Sequence, residues 1–119
     1  MYLGEQLTTD DGTFPMCGAL PISTEMRERV SALGYREVTT SRATPLGPAG
    51  TVFRGHEFRY SGLASQPELA SAYRVSGYGK ETDEGWLKGN TLGSYVHAHW
   101  RSNPAIAAAF VQSAAEASR

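Results

Sequence analysis

Gly93-Ser94-Tyr95-Val96-His97-Ala98-His99-Trp100 decides how the rest of this chain reads. A β-branched and aromatic run followed by two histidines two residues apart predicts a strand that ends with both imidazoles on one side. A histidine at a strand end is well placed to take a proton from a neighbouring nucleophile. The chain holds no Gly-x-Ser-x-Gly elbow, and its one cysteine, Cys17, lies between Met16 and Gly18 in an apolar setting. Cys17 is therefore expected as a buried small hydrophobe rather than an attacking thiolate. The segment reads as the base half of a catalytic pair.

Upstream of it, Gly85 to Asn90 reads as a strand and turn feeding Thr91 to His97, and Ala72 to Tyr78 as a further strand. Lys80 to Glu84 between them reads as a solvated loop. Tyr35 to Ala43 and Gly50 to Ser61 are two more strand-like runs, separated by Pro45-Leu46-Gly47-Pro48, a loop too rich in breakers for a regular element. In the second run Val52, Arg54, His56, Phe58 and Tyr60 share one face, and Phe53, Gly55, Glu57 and Arg59 the other. Neither face is cleanly apolar, so the strand is expected to line a cleft or to carry cross-strand charge pairs. The polar stretch from Gly62 to Ser71 has room for one helical turn.

Three helices are expected. Met1 to Thr8 reads as one, closed by the turn Thr9-Asp10-Asp11-Gly12. Thr13 to Leu20 then reads as a short extended segment. Ser23 or Thr24 caps a second helix, with Met26, Val30 and Leu33 at i, i+4 and i+7 and Gly34 as its stop. The third follows Asn103 as N-cap and Pro104 at the first helical position, and runs Ala-rich to about Ser118. Its Ile106, Phe110 and Ala114 form a stripe expected to dock on a sheet. Trp86 and Trp100 read as core or interface residues.

Composition bounds the rest. A chain of 119 residues supports one small domain, and 40% hydrophobic with 19% charged residues is ordinary for a globular protein. A net charge of -1 with scattered Lys and Arg offers no electrostatic basis for nucleic acid or an anionic membrane. No apolar run approaches the roughly 20 residues of a membrane span, and Met1 to Gln6 lacks the basic and apolar regions of a signal peptide. One cysteine forms no internal disulfide, which agrees with a reducing compartment. The expectation is a soluble, cytoplasmic α/β or α+β domain.

His97 reads as a general base or as a structural histidine hydrogen-bonded within the fold. His56, His97 and His99 could bind a metal only with a further fixed partner, which His-x-His does not supply, so no metal is expected. His56 and Glu57 belong to a binding or orienting strand beside the site, or to a half-exposed paired strand.

Taken in order, Met1-Tyr2-Leu3-Gly4, Phe14-Pro15-Met16-Cys17-Gly18-Ala19-Leu20-Pro21, Leu33-Gly34-Tyr35-Arg36, Gly55-His56-Glu57-Phe58 and Gly93-Ser94-Tyr95-Val96-His97 resemble one family. It is the glutamine amidotransferase domain of cobyrinic acid a,c-diamide synthase, and the resemblance runs from Met1 to about Val111. It implies a class I glutamine amidotransferase-like (flavodoxin-like) α/β sheet with flanking helices, present here as a partial domain. Residues 1–119 would be the C-terminal half of that domain. The family's Cys-Gly-Gly nucleophile elbow and the N-terminal ATP-binding domain would lie upstream, and Met1 to Thr8 would be the helix leaving the elbow. No Gly-x-x-x-x-Gly-Lys-Ser/Thr phosphate loop occurs in the chain.

His97 matches the histidine that activates the family's cysteine. Cys17 matches a position the family usually fills with a small apolar residue. Where many related amidotransferases carry an acidic residue two positions after the histidine, this chain has His99. His56, Glu57 and His99 are the candidates for binding or orienting substrate. The resemblance implies glutamine and a corrinoid carboxylate as substrates of the parent enzyme, with ATP and Mg²⁺ acting in its other domain and no cofactor in this chain. Alternatives are diamidation of a nickel-containing sirohydrochlorin, cobyric acid synthase chemistry, or a non-catalytic binding module on the same scaffold. The chain alone is expected to be inactive as a glutaminase.

Overall fold

The computed structural model describes all 119 residues, Met1–Arg119. Ten strands are arranged in two sheets: β1 (Gln6–Thr9), β2 (Gly12–Pro15), β3 (Ser23–Met26), β4 (Ala32–Thr40), β5 (Val52–Arg59), β6 (Ser61–Leu63), β7 (Ser71–Gly77), β8 (Lys80–Lys88), β9 (Thr91–Gly93) and β10 (His97–Ala98). A 3-10 turn, Trp100–Ser102, and one α-helix, α1 (Pro104–Ala117), follow. The smaller sheet has the order β2-β1-β3-β6, with β1 and β3 parallel and the other pairs antiparallel. The larger is antiparallel throughout, in the order β10-β5-β4-β7-β8-β9. A mixed sheet and an antiparallel sheet with a flanking helix place the chain in the expected α/β class, consistent with a partial class I glutamine amidotransferase domain. The helix is one rather than several.

The expected strands at Tyr35 to Ala43, Gly50 to Ser61 and Ala72 to Tyr78 are β4, β5 with β6, and β7. Gly85 to Asn90 supplies the end of β8 and its turn into β9. The alternation in β5 holds: Phe53, Gly55 and Glu57 are buried, while the residues between them turn outward. Between β4 and β5 the breaker-rich loop is tied down, because the Thr40 hydroxyl donates to Pro48 O at 2.8 Å.

Two expected helices are strands instead. Met1 to Thr8 is turn followed by β1, since Gly4 presses on Ile22, where a Cβ would lie 2.6 Å from the Ile22 carbonyl oxygen. That approach suits a chain paired with β3, which a helix of one or two turns could not outweigh. Ser23 to Leu33 is β3, a bend and the start of β4. Met26, Val30 and Leu33 are all exposed, so their helical spacing marks no buried stripe. Gly34 stands inside β4 with φ +133° rather than stopping a helix. The stretch from Gly62 to Ser71 contains the end of β6 and bends, with no helical turn.

Lys80 to Glu84 is the first half of β8, not a loop. Glu81 and Asp83 face outward and pair with Arg74 across the hairpin at 3.0 Å each, while Glu84 turns inward. Charge pairs of this kind make a charged run compatible with a strand.

The main core joins Val38, Leu46, Phe53, Ala72, Tyr73, Val75, Val96 and Ile106. Phe53 and Tyr73 meet edge to face at 5.6 Å between centroids. A second cluster of Leu20, Ile22 and Trp86 lies beneath the smaller sheet, so Trp86 is core as expected. The helix begins as expected: Asn103 Oδ1 accepts from the Ala105 N–H at 3.1 Å, and Pro104 occupies the first turn. Of its stripe, Ile106 alone is buried, contributing about 1.5–3 kcal/mol. Phe110 stays exposed against the half-exposed Trp100, and Ala114 faces solvent. Cys17 is exposed rather than buried, because it follows a strand that has no sheet packed over it.

Candidate functional site

Tyr35, His56 and His97 stand side by side on three neighbouring strands. In the ladder Tyr35 of β4 is opposite His56 of β5, and His56 is opposite His97 of β10. Residues directly opposite in a ladder share a face. That face is the one turned away from the main core, and it leaves Tyr35 79% exposed. The Tyr35 and His56 rings meet edge to face with centroids 5.3 Å apart. His97 is exposed and His56 half-buried.

These three rings, with Arg54, His99 and Arg101, border an open cavity of about 420 Å³. The volume is within the range of small-molecule sites. His99 lies just past β10, where its backbone N–H donates to Arg54 O at 2.8 Å. The 3-10 turn brings in Arg101, and Ser102 Oγ accepts from the Arg54 N–H at 2.9 Å. His56, His97 and His99 are thus together on one cavity, but the expected strand is interrupted: Ser94 to Val96 separates β9 from β10 at opposite edges of the sheet, and His99 lies outside β10. No three His, Cys, Asp or Glu side chains in the chain converge as a metal site. Cys17 is not among the residues bordering this cavity.

Glu57 is not there. It lies on the opposite face of β5, buried, with Oε1 3.4 Å from Arg36 Nε and Oε2 3.1 Å from Arg59 Nε. Its two guanidinium partners compensate a carboxylate that has lost nearly all its water.

Gly55 allows β10 to reach β5. A Cβ there would come within 2.5 Å of His97 O and 2.6 Å of Val96 Cγ1. The segment entering β10 is held from beneath. Glu84 Oε2 accepts from Ser94 Oγ at 2.6 Å, and Glu84 Oε1 accepts from the Tyr95 N–H at 2.8 Å. Ser94 Oγ in turn accepts from the Val96 N–H at 2.9 Å. Burial pushes the Glu84 carboxyl above its ordinary range, with the Ser94 and Tyr95 hydrogen bonds opposing the shift. The Tyr95 hydroxyl bonds Ser61 Oγ at 3.0 Å, and the Arg59 guanidinium sits 4.2 Å from the Tyr95 ring centroid.

Sequence reasoning missed Glu84 and the two arginines of the cavity. Arg54 was visible on the His56 face of the alternation. Glu84 gave one local signal, the adjoining Gly85 with φ +74°, which breaks the regular in-out pattern of β8.

The family model of the CobB/CobQ-like glutamine amidotransferase domain matches residues 1–105. The chain is 44% identical over 118 residues to a cobyrinate a,c-diamide synthase of Leptospira interrogans serovar copenhageni, covering 95% of this chain and 26% of that protein. It is 44% identical over 117 residues to the protein of the same name from Syntrophotalea carbinolica, covering 93% of this chain and 26% of the relative. For the one from Archaeoglobus fulgidus the figures are 41% over 116 residues, 96% and 25%. The chain spans about a quarter of the length of these curated relatives.

Proposed function

Because the chain belongs to the family of CobB/CobQ-like glutamine amidotransferase domains, we propose that it forms the histidine-bearing part of a glutaminase site. In the whole protein that site supplies ammonia for ATP-dependent amidation of the a and c carboxylates of cobyrinic or hydrogenobyrinic acid in cobalamin biosynthesis. The observation that carries this reading is His97, exposed at a strand end beside His56 on a cavity of about 420 Å³.

His97 is the proton acceptor in this reading. A cysteine thiol contributed by residues outside 1–119 gives its proton to His97 as sulfur attacks the glutamine carboxamide carbon. The tetrahedral intermediate collapses when the nitrogen takes that proton and leaves as ammonia. Water then enters: His97 accepts a proton from it as its oxygen attacks the thioester, and returns the proton to the departing sulfur. Glutamate is released and the thiol restored. His56 and His99 line the same cavity and orient substrate or His97. Glu57, on the far face, acts through the strand that carries His56. Arg101, together with Arg54, whose Nε also lies 3.6 Å from Glu37 Oε2, gives the cavity positive charge suited to an amino acid carboxylate. We place ATP and Mg²⁺ in the other part of the whole protein.

Two measurements test this. In the whole protein, His97→Ala should abolish amidation driven by glutamine and leave amidation driven by added ammonia intact. Glutamine-driven turnover that survives the substitution would overturn the role of His97. The 119-residue chain alone should release no ammonia from glutamine. Release that His97→Ala abolishes would show that the thiol need not come from outside it.

A further inference from the structure

The larger sheet carries a second cavity on the face opposite His56 and His97. Near Phe53 that face is apolar and packed around Ile106. Toward Arg59 it is polar and open, and Arg36, Glu57, Arg59, Tyr78, Lys80 and Thr82 border a hollow of about 370 Å³.

Its charges do not balance. Arg36, Arg59 and Lys80 face a single carboxylate, Glu57, whose two oxygens are both engaged by the Nε atoms of the arginines. Arg36 Nη1 donates to Tyr35 O at 2.9 Å and Arg59 Nη1 to Ser61 O at 2.7 Å. The Nη2 group of each guanidinium has no hydrogen-bond acceptor on the protein, and Lys80 is in no ion pair. The two arginine side chains are 15% and 24% exposed. Guanidinium edges in such a place match the oxygens of a carboxylate or phosphate.

The rim has its own signal. Gly77 pairs with Lys80, so Tyr78 and Gly79 form a two-residue hairpin turn with φ +52° and +73°. Such turns favour asparagine or glycine at both positions, and a tyrosine is strained there. Its ring lies on Gly34, whose missing Cβ would fall 2.3 Å from Tyr78 Cε2, and Arg36 approaches the ring centroid at 5.7 Å. The turn holds an aromatic plane at the edge of the cationic hollow.

We propose that this hollow is an oxyanion-binding site, separate from the histidine cavity, which takes a carboxylate or phosphate group of a small ligand on the free guanidinium edges of Arg36 and Arg59. Lys80 supplies a third positive charge, and the Tyr78 ring packs against the body of the ligand. The site stands independently of any role for His97.

The test is a titration of the 119-residue chain in low-chloride buffer with inorganic phosphate and, separately, with glutarate, followed by amide resonances. Saturable shifts are expected at Gly34, Arg36 and Gly77 to Lys80. Response to glutarate alone marks a carboxylate site, to phosphate alone a phosphate site, and to both a general oxyanion site. Lys80→Gln, on an exposed turn flank, should weaken the response about tenfold without changing the melting temperature. Tyr78→Gly should weaken it while raising the melting temperature, because glycine relieves the turn. The proposal fails if neither probe saturates by about 50 mM, or if the shifts are indifferent to Lys80→Gln.

Discussion

Glu84 accepts a 2.6 Å hydrogen bond from the hydroxyl of Ser94, and the pair anchors the segment that delivers His97 to its cavity. Glu84 is also buried, which raises its carboxyl above the ordinary value of 4.5. Between that value and the raised one, the folded chain holds a proton that the unfolded chain has lost. This contribution to stability is therefore full below the ordinary value and is lost as pH rises through the raised one. Glu84→Gln stays neutral throughout, and its amide can donate to Ser94 Oγ. Its melting temperature should gain on the parent's as pH rises through that window. Thermal melts from about pH 4 to about pH 8 check this, and a constant difference would show that Glu84 does not titrate there. Glu84→Ala leaves the Tyr95 N–H unpaired and should cost about 1–3 kcal/mol.

Glu57 is a second buried carboxylate, and it lies between two arginines. Removing its charge strands both guanidiniums in a half-dry place. Glu57→Ala should cost about 3–5 kcal/mol in urea denaturation. Arg74, although bonded to both Glu81 and Asp83, is half-exposed, and Arg74→Ala should matter far less. Equal losses from the two substitutions would remove the distinction drawn between them.

The elements legible in the sequence are those set by local chemistry. Asn103-Pro104 announced α1, and Pro45 to Pro48 separated two strands, because caps and breakers act through their own backbone geometry. The β1–β3 pairing was not legible, since its partners are joined only in the folded chain: Gln6 meets Ser23 and Thr8 meets Glu25. Met26, Val30 and Leu33 mimicked a helical stripe that burial does not support. At the site, His97 and His99 were readable from a spacing of two. Their company with His56 and Arg54 depends on β10 pairing with β5 across 41 residues of chain, from His56 to His97, whereas the alternation of β5 alone already set Glu57 on the other face.

Asn103 joins α1 to the sheet. Its Oδ1 caps Ala105 N–H at 3.1 Å, and its Nδ2 donates to Val52 O, on the first residue of β5, at 2.9 Å. Asn103→Ala loses both and should cost about 1–2 kcal/mol. Asn103→Asp keeps the cap and lacks the second donor, so it should fall between. Far-UV circular dichroism melts would rank the three. An Asp variant as unstable as the Ala variant would assign the effect to the Val52 bond alone.

Gly34 and Tyr78 form a testable pair. A Cβ at position 34 meets the Tyr78 ring, and the backbone at φ +133° resists any side chain. Gly34→Ala should therefore be destabilising by about 1–3 kcal/mol. In a Tyr78→Gly background the clash is gone and only the backbone term is left, so the loss should shrink. The double-mutant cycle reads that difference directly. Strict additivity would mean that Tyr78 does not rest on Gly34 in solution.

Gly55 supplies the sharpest separation of geometry from chemistry at the histidine cavity. It contributes no side chain, yet a methyl group there would push against His97 O and Val96 Cγ1 at about 2.5 Å. Neither the strand backbone nor a residue packed in the core can yield cheaply, so β10 should move off β5. The interactions through Glu84 and the helix cap would remain, and the rest of the sheet should stay folded. Gly55→Ala is thus expected to speed amide exchange at Ala98 and His99 and to shift the His97 ring resonances, with the amides of β7 and β8 unchanged. With His97 in the role proposed for it in the whole protein, a displacement of about 1 Å costs on the order of 100-fold. Glutamine-driven turnover should fall by that much while ammonia-driven turnover holds. Unmoved His97 resonances in Gly55→Ala would mean that the β5–β10 pairing does not set the position of His97.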